Sequence, residues 1–587
     1  MNYTRLGIMS SLLMTVLPGL ALADFTDNAP KYTDLVPINQ LVTVAPQACG
    51  AQETLQVPMI DWSGDFATVY ANGGLTTDPD SMFALFEENV NLYVENDLVQ
   101  QATDFLTCAS PLMRVTQDQA QILAPLMQAQ DETNMVALYQ HSFSNGDHLV
   151  GRAGVDLDNI CEADIAIMRY GPHTGFLGRI LSDAGCDIAA MQNNNQIHWT
   201  ANLSGEDSPY HALVSDPEID AAFVVTPDMI ALVDNGDVPD STVVVSTKEL
   251  SRAISDVYVG RRDFFLANQD RMQNFVHALF LAGEEFQDVM GGLGQAIAND
   301  PPTLNVDQQV ALDMMAGVFD SVPDAIEAGW FWLDADFSGY PGNVRWAIET
   351  NPRGWLGLNN EIQLAVSALG LSDRVFTLAH AGWDYETMTE GLENTNVAEQ
   401  PVFNASAVAA LVQQQQRTGT LESGELFSFE IFFQPSQNDF PAAQYEAEFR
   451  ELIDLASAYG GAVITVEGHA DPLGYLMAEN PTRFNQTGAP ASRIELRRQA
   501  QALRNLSAGR ATSARDSLLA FGSDVMDVNM DPTQFTVLAQ GIDDPRSGLC
   551  GALPCAPSTE QEWRENMRVV FRIISVPTEA NVFIAAN

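Results

Sequence analysis

Three short polar pieces near the C-terminus carry groups that could grip a ligand. They are Gly468-His469-Ala470-Asp471, Leu506-Ser507-Ala508-Gly509-Arg510-Ala511 and Asn566-Met567-Arg568-Val569. A carboxylate such as Asp471 and a guanidinium such as Arg510 or Arg568, facing one pocket, hold both ends of a zwitterion. The acid takes an ammonium, and arginine takes a carboxylate through paired N–H donors. A second set is Asp61, Trp62, Ser142, Tyr170, His173, Thr174, Thr226 and Asp228, all in or beside loops after apolar runs. Open α/β folds hold ligands at the carboxyl ends of their strands. Helix N-termini following such loops suit an anion, whereas Asp61 with Trp62 and Tyr170 suits a cation. The residues leave that choice open.

These groups need elements to position them. Up to about residue 412 short apolar runs alternate with longer helical patterns. Leu55–Ile60, Met135–Tyr139, Ile165–Met168, Ala221–Val225 and Val243–Val245 read as strands, and helices are expected from Phe66, over 175–184, 274–289 and 306–319. That alternation predicts an α/β domain over 24–412 with a largely parallel sheet. The polar run Gln413-Gln414-Gln415-Gln416-Arg417-Thr418 begins an expected linker over 413–425. Residues 426–577 have another rhythm. Phe427, Phe429 and Ile431 alternate as a strand, and Phe449, Leu452, Ile453 and Ala456 recur at helical spacing. Ala462–Glu467, Phe535–Ala539 and Val569–Ile574 are further strands, and Ser507 is placed to cap a helix between the first and second of them. The order β-α-β-α-β-β predicts an α+β sandwich with a tail over 578–587.

Among 587 residues, 77 acids against 27 bases give a net charge of −50. Phosphate backbones need a basic footprint, so nucleic acid is excluded as a default partner, and docking on anionic lipid is disfavoured. Residues 1–23 read as a secretory signal: Arg5, an apolar run, then Ala21-Leu22-Ala23 before Asp24. An even set of cysteines, Cys49, Cys108, Cys161, Cys186, Cys550 and Cys555, suits disulfides in an exported chain. Chain order suggests pairing neighbours, although the number of cysteines alone permits fifteen pairings. There is no CxxC, HExxH or EF-hand pattern, and no nucleophile–base pairing or phosphate loop. Neither a metal, a cofactor nor catalysis is expected.

The three C-terminal pieces, in that order, resemble the OmpA-like peptidoglycan-binding domain. That family shows Gly-His-Thr-Asp after its second strand, Leu-Ser-x-x-Arg-Ala at a helix start and Asn-Arg-Arg-Val before its last strand. The resemblance implies that Asp471 takes the ammonium and Arg510 the carboxylate of a diaminopimelate stem peptide, with Arg568 in support. Ala470 stands where the family has Thr, and the stretch from Asp471 to Arg510 is longer than the family's. That insertion carries Arg493, Arg497, Arg498 and Arg504.

The N-terminal block resembles type 2 periplasmic solute-binding proteins of ABC transporters, in the nitrate/taurine/thiamine-precursor-like branch. The resemblance rests on Asp61-Trp62-Ser63, Arg169-Tyr170-Gly171-Pro172-His173-Thr174, the 219–226 strand end and Arg261-Arg262-Asp263-Phe264-Phe265. It implies a two-lobed α/β fold closing on a small solute, served by an inner-membrane ABC permease. The combined expectation is a periplasmic solute-binding protein held to the cell wall or outer membrane by its C-terminal domain. The rival is a wall-anchored scaffold whose lobed domain grips a protein partner.

Overall fold

The computed structural model describes residues 32–574, apart from 249, 251, 300, 320, 350, 373–375, 398–404, 419–424, 436, 439, 460–461 and 552. The expected signal over 1–23 and the tail over 578–587 lie outside the described residues, as does much of the expected linker. The first part of that linker is helical: the run Gln413–Thr418 belongs to a helix over Ala405–Thr418. Its Gln416 amide donates to Gln540 Oε1 at 2.7 Å, so this stretch lies against the C-terminal domain.

Apolar strands Leu55–Met59 (β1) and Val90–Val94 (β2) pair in parallel. Leu112–Thr116 (β3) lies beside β1, where Ser110 Oγ donates to the Gln56 carbonyl at 2.8 Å. Met135–Ser144 (β4) completes the outward path of lobe 1, then the chain crosses to lobe 2. There Asp147–Gly151 (β5), Ile165–Met168 (β6), Ile197–Thr200 (β7), Ala221–Val225 (β8) and Thr242–Ser246 (β9) form a sheet in the order β7-β6-β8-β5-β9. The chain returns through Ser255–Arg261 (β10), which sits antiparallel between β3 and β4. Short strands Ala335–Phe337 (β11) and Ala379–His380 (β12) add to β4. The sheets are mixed where a largely parallel sheet was expected: β5 and β10 enter from the crossing side and run antiparallel to their neighbours, and β11 is antiparallel to β4. The interior strand β6, Ile-Ala-Ile-Met, is buried along most of its length, as a strand covered on both faces requires.

Several strand ends feed helices. Phe66–Asn72 (α1) follows β1, and Gln117–Met127 (α2) follows β3 through a capping box between Thr116 and Gln119. Thr174–Asp183 (α3) follows β6, and after the return come Gln269–Val289 (α4), Gly339–Trp346 (α5) and Trp355–Ala368 (α6). Helix α6 straddles the lobes. Gln117 of lobe 1 donates to the Trp355 carbonyl at 2.6 Å, and Gln121 donates to Asn359. On the other side Gly178 of α3 is so close that an added Cβ would overlap that of Ala365. One apolar core therefore runs from Val115 and Ile122 through Leu358 and Ile362 to Phe176 and Phe223.

The C-terminal domain is an α+β sandwich. Its elements are Glu425–Phe432 (β13), Glu446–Ala458 (α7), Val463–His469 (β14), Arg493–Phe521 (α8), Phe535–Gly541 (β15), the hairpin Leu549–Cys550 (β16) with Leu553–Pro554 (β17), and Arg568–Ile574 (β18). The sheet order is β13-β18-β14-β15, with β14 and β15 parallel. Phe449 and Leu452 of α7 and Ala514 and Leu518 of α8 bury against Ile464 and Phe571. Helix α8 corrects one expectation. Its N-cap is Ser492, in a capping box with Glu495, and Ser507 lies mid-helix. The cysteines pair as chain neighbours: Cys49–Cys108, Cys161–Cys186 and Cys550–Cys555.

Candidate functional site

The lobe junction is built where β1, β3 and β4 end and β10 begins, against the start of lobe 2. Arg114, in the apolar run of β3, is fully buried. Its Nε–H donates to Asp65 at 2.9 Å and its Nη1–H to Asp256 at 3.0 Å. Asp256 also accepts from Ser142 Oγ at 3.0 Å. Burial raises the Asp65 carboxyl to about 7 despite the guanidinium beside it. His141 is held well below its ordinary value by burial and by Arg114, so it is neutral. Its Nδ1 lies 3.3 Å from the Gly64 carbonyl. Around this cluster four buried polar atoms have no partner among the described residues: Trp62 Nε1, Ser63 Oγ, Arg114 Nη2 and His141 Nε2. Gly64 joins them, since a Cβ there would sit 2.7 Å from Ser142 Oγ and 3.1 Å from Trp62 Nε1.

The facing edge of lobe 2 is the loop from Tyr170 into α3. His173, fully buried, meets Asp147 at 2.5 Å through Nε2, while its Nδ1 has no partner. Thr174 Oγ1 donates to the Gly171 carbonyl at 3.3 Å, a local capping bond. Tyr170 stands at φ 59°, its hydroxyl buried and unpartnered. The lobes touch directly here. Gln119 of lobe 1 donates to the Tyr170 carbonyl at 3.1 Å. The Gly175 N–H at the start of α3 donates to Asp118 of lobe 1 at 3.1 Å. Asp118 thus puts the chain's own carboxylate on a helix N-terminus, the seat an anion would favour. Burial raises its carboxyl to about 6 even so.

Five sequence candidates, Trp62, Ser142, Tyr170, His173 and Thr174, meet at this junction. Asp61 points elsewhere, accepting from Ser321 Oγ at 2.6 Å. Thr226 serves the crossing, donating to the Gly146 carbonyl at 3.2 Å and meeting His148 at 3.3 Å. Asp228 lies near it with one buried oxygen unpartnered, and burial raises it to about 6. Arg114, Asp118, Asp147, His141 and Asp256 were not candidates. Arg114 interrupting Leu112-Met113-Arg114-Val115 was the available signal, because a buried charge demands partners.

In the C-terminal domain Asp471 follows β14, half-buried. It accepts from the Leu473 N–H at 2.8 Å and the Asn566 amide at 3.2 Å, and burial raises its carboxyl. Arg510 lies under the same strand end, 1% exposed. It donates to the carbonyls of Gln437 at 2.9 Å, His469 at 3.1 Å and Gln434 at 3.2 Å, and stacks on Phe433. Burial lowers it to about 10. Its hydrogen bonds among the described residues include no carboxylate. Because α8 starts at Arg493, Arg510 sits in the helix interior and not at the helix start that the resemblance implied. Arg568 belongs to a separate network with Glu430 and Asp544, each at 3.2 Å.

No family profile matches the chain, and no curated protein matches its sequence. Solved structures do resemble it. The aliphatic sulphonate binding protein SsuA of Escherichia coli is 12% identical, with TM-score 0.39, covering 60% of this chain and 97% of its own. The nitrate-binding protein NrtA of Synechocystis PCC 6803 is 13% identical, with TM-score 0.35, covering 60% and 90%. A ligand binding component of an ABC-type import system from Staphylococcus aureus is 12% identical, with TM-score 0.38, covering 58% and 100%. The class rests on the chain's own topology: two α/β lobes, one crossing out at β4–β5 and one back at β9–β10. That is the two-lobed periplasmic-binding-protein-like fold. Among the described residues no helix is long and apolar enough to cross a membrane.

Proposed function

We infer that the chain is an exported, non-catalytic binding protein. Its lobes hold a small solute between them, and its C-terminal domain, of OmpA-like type, holds the molecule to peptidoglycan. The observation that carries the solute reading is the set of buried donors without partners at the lobe junction. Trp62 Nε1 and Arg114 Nη2 can only donate, so what is missing is an acceptor. A small solute presenting oxygens supplies it, and an inner-membrane ABC permease is the partner that transport would need. The mature chain should be screened by thermal shift against small carboxylates, sulfonates and polyols. A binder raises the melting temperature by mass action. Trp62→Phe, which removes one N–H, should weaken that binder about tenfold. If no compound shifts the parent, the solute reading fails.

The scaffold reading has one observation in its favour, helix α6, which packs on both lobes and holds them together. Small-angle scattering separates the two: compaction on adding the solute found above supports a closing binder, and an unchanged envelope supports a rigid scaffold.

Wall anchoring is supported by Asp471 and by a buried guanidinium, Arg510, whose described hydrogen bonds reach only carbonyls. Diaminopimelate offers the ammonium and the carboxylate those groups lack. The full chain should pellet with peptidoglycan containing diaminopimelate. Asp471→Asn keeps the shape and removes the charge, and should weaken pelleting about tenfold, or about 1.4 kcal/mol. Undiminished pelleting would place the wall contact elsewhere, with the arginines of the 472–505 insertion next to be removed.

A further inference from the structure

In a chain with 77 acids and only 27 bases, three arginines converge on one small pocket whose lining includes none of Trp62, Ser142, Tyr170 and His173. Arg252 comes from the return crossing, Arg345 from α5 and Arg353 from the connection between α5 and α6. Asn351 and Ser338 add polar walls, and Asp336 is the acid in the lining. The cavity measures about 50 Å³. One water needs roughly 10–15 Å³ by this measure, so the space suits a few waters or one small oxyanion.

Arg353 is the group that points to a ligand. It is 3% exposed. Nη1 donates to Glu361 at 3.3 Å, and Nη2 reaches Glu361 and, at 3.5 Å, Asp454. Among the described residues its Nε has no partner. The neighbours are fixed: Asn351 accepts from the Arg353 N–H at 3.0 Å and donates to the Arg345 carbonyl at 2.9 Å. Arg345 also donates through Nη1 to the Val397 carbonyl at 3.0 Å. A buried guanidinium N–H without an acceptor carries its full desolvation cost, and an oxyanion removes it while bridging the other two arginines.

We propose that this pocket is a second binding site, for a small oxyanion the size of phosphate or sulfate. It is independent of the solute between the lobes. The bound anion would tie the return crossing, lobe 1 and the α5–α6 connection together.

The mature full-length chain should be titrated with inorganic phosphate and with sulfate by calorimetry, at constant ionic strength set with sodium chloride. Saturable binding is expected in the parent. Arg345→Gln and Arg252→Gln should each weaken it tenfold or more, and Arg345→Lys, which keeps charge but loses the fork, should fall between. Trp62→Phe should leave it unchanged, which separates this site from the lobe junction. No saturable binding up to about 10 mM overturns the proposal. So does equal affinity in the parent and both glutamine variants, or loss of binding in Trp62→Phe alone.

Discussion

Arg510 shows that a proposed ligand group can also be a structural clamp. The sequence singles it out as a ligand group on an exposed helix start. The structure puts it inside the domain, clamping three carbonyls from two segments. Arg510→Ala strips donors from buried carbonyls and leaves a void under Phe433. A loss of about 2–4 kcal/mol is expected, read as a lower urea midpoint. Wall binding tested with that variant would report unfolding, so Asp471→Asn is the clean probe. Arg114 was illegible for the opposite reason. Its partners Asp65 and Asp256 lie 49 and 142 positions away, and no spacing rule joins them. Local chemistry was readable: the loops carrying Trp62 and His173 reach the junction, as loops after strands should.

At the scale of elements, periodicity was readable wherever burial fell on one face. The strands β13 and β14 and the face of α7 follow their apolar spacing. The start of α8 was not, because Ser492 and Ser507 both satisfy the demands of an N-cap locally. The choice is made by the long first half of α8, which is largely exposed and supported by its own capping box. The bridging role of α6 had no sequence signature at all, because contact with both lobes depends on how the crossings bring α2 and α3 together. It makes a sharp prediction. Gly178 lets α3 and α6 approach to where a methyl has no room. Gly178→Ala should cost about 1–3 kcal/mol through overpacking, despite the better helix propensity of alanine. Its urea midpoint should fall; a rise would mean that α6 is not held against lobe 2 in solution.

At the scale of the molecule, lobe 2, the bridging helix and the C-terminal domain share one ionic joint. Arg179 of α3 meets Asp183 at 2.8 Å, Glu361 of α6 at 2.8 Å and Asp454 of α7 at 3.0 Å. Arg353 adds to Glu361 and Asp454. Tyr459 of the C-terminal domain donates to Asp183 at 3.0 Å. Burial would raise the Glu361 carboxyl, but Arg353 and Arg179 overcome it and lower it to about 2 from an ordinary 4.5. The folded chain therefore binds this proton less readily than the unfolded one. The stability Glu361 contributes is complete above about pH 4.5 and is lost as pH falls toward 2, up to about 3 kcal/mol. Asp118 at the lobe junction has the opposite sign. Raised to about 6 from 3.8 by burial, it keeps its proton when folded while the unfolded chain releases it. Stability should then fall as pH rises from about 4 to 6, by a comparable amount. Urea unfolding across pH 2–7 should show a maximum between the two limbs. Glu361→Gln should flatten the acid limb, and Asp118→Asn should make the limb above pH 4 shallower, Asp65 and Asp228 adding to it with the same sign. If Glu361→Gln leaves the acid limb as steep as in the parent, the joint between the domains does not form in solution.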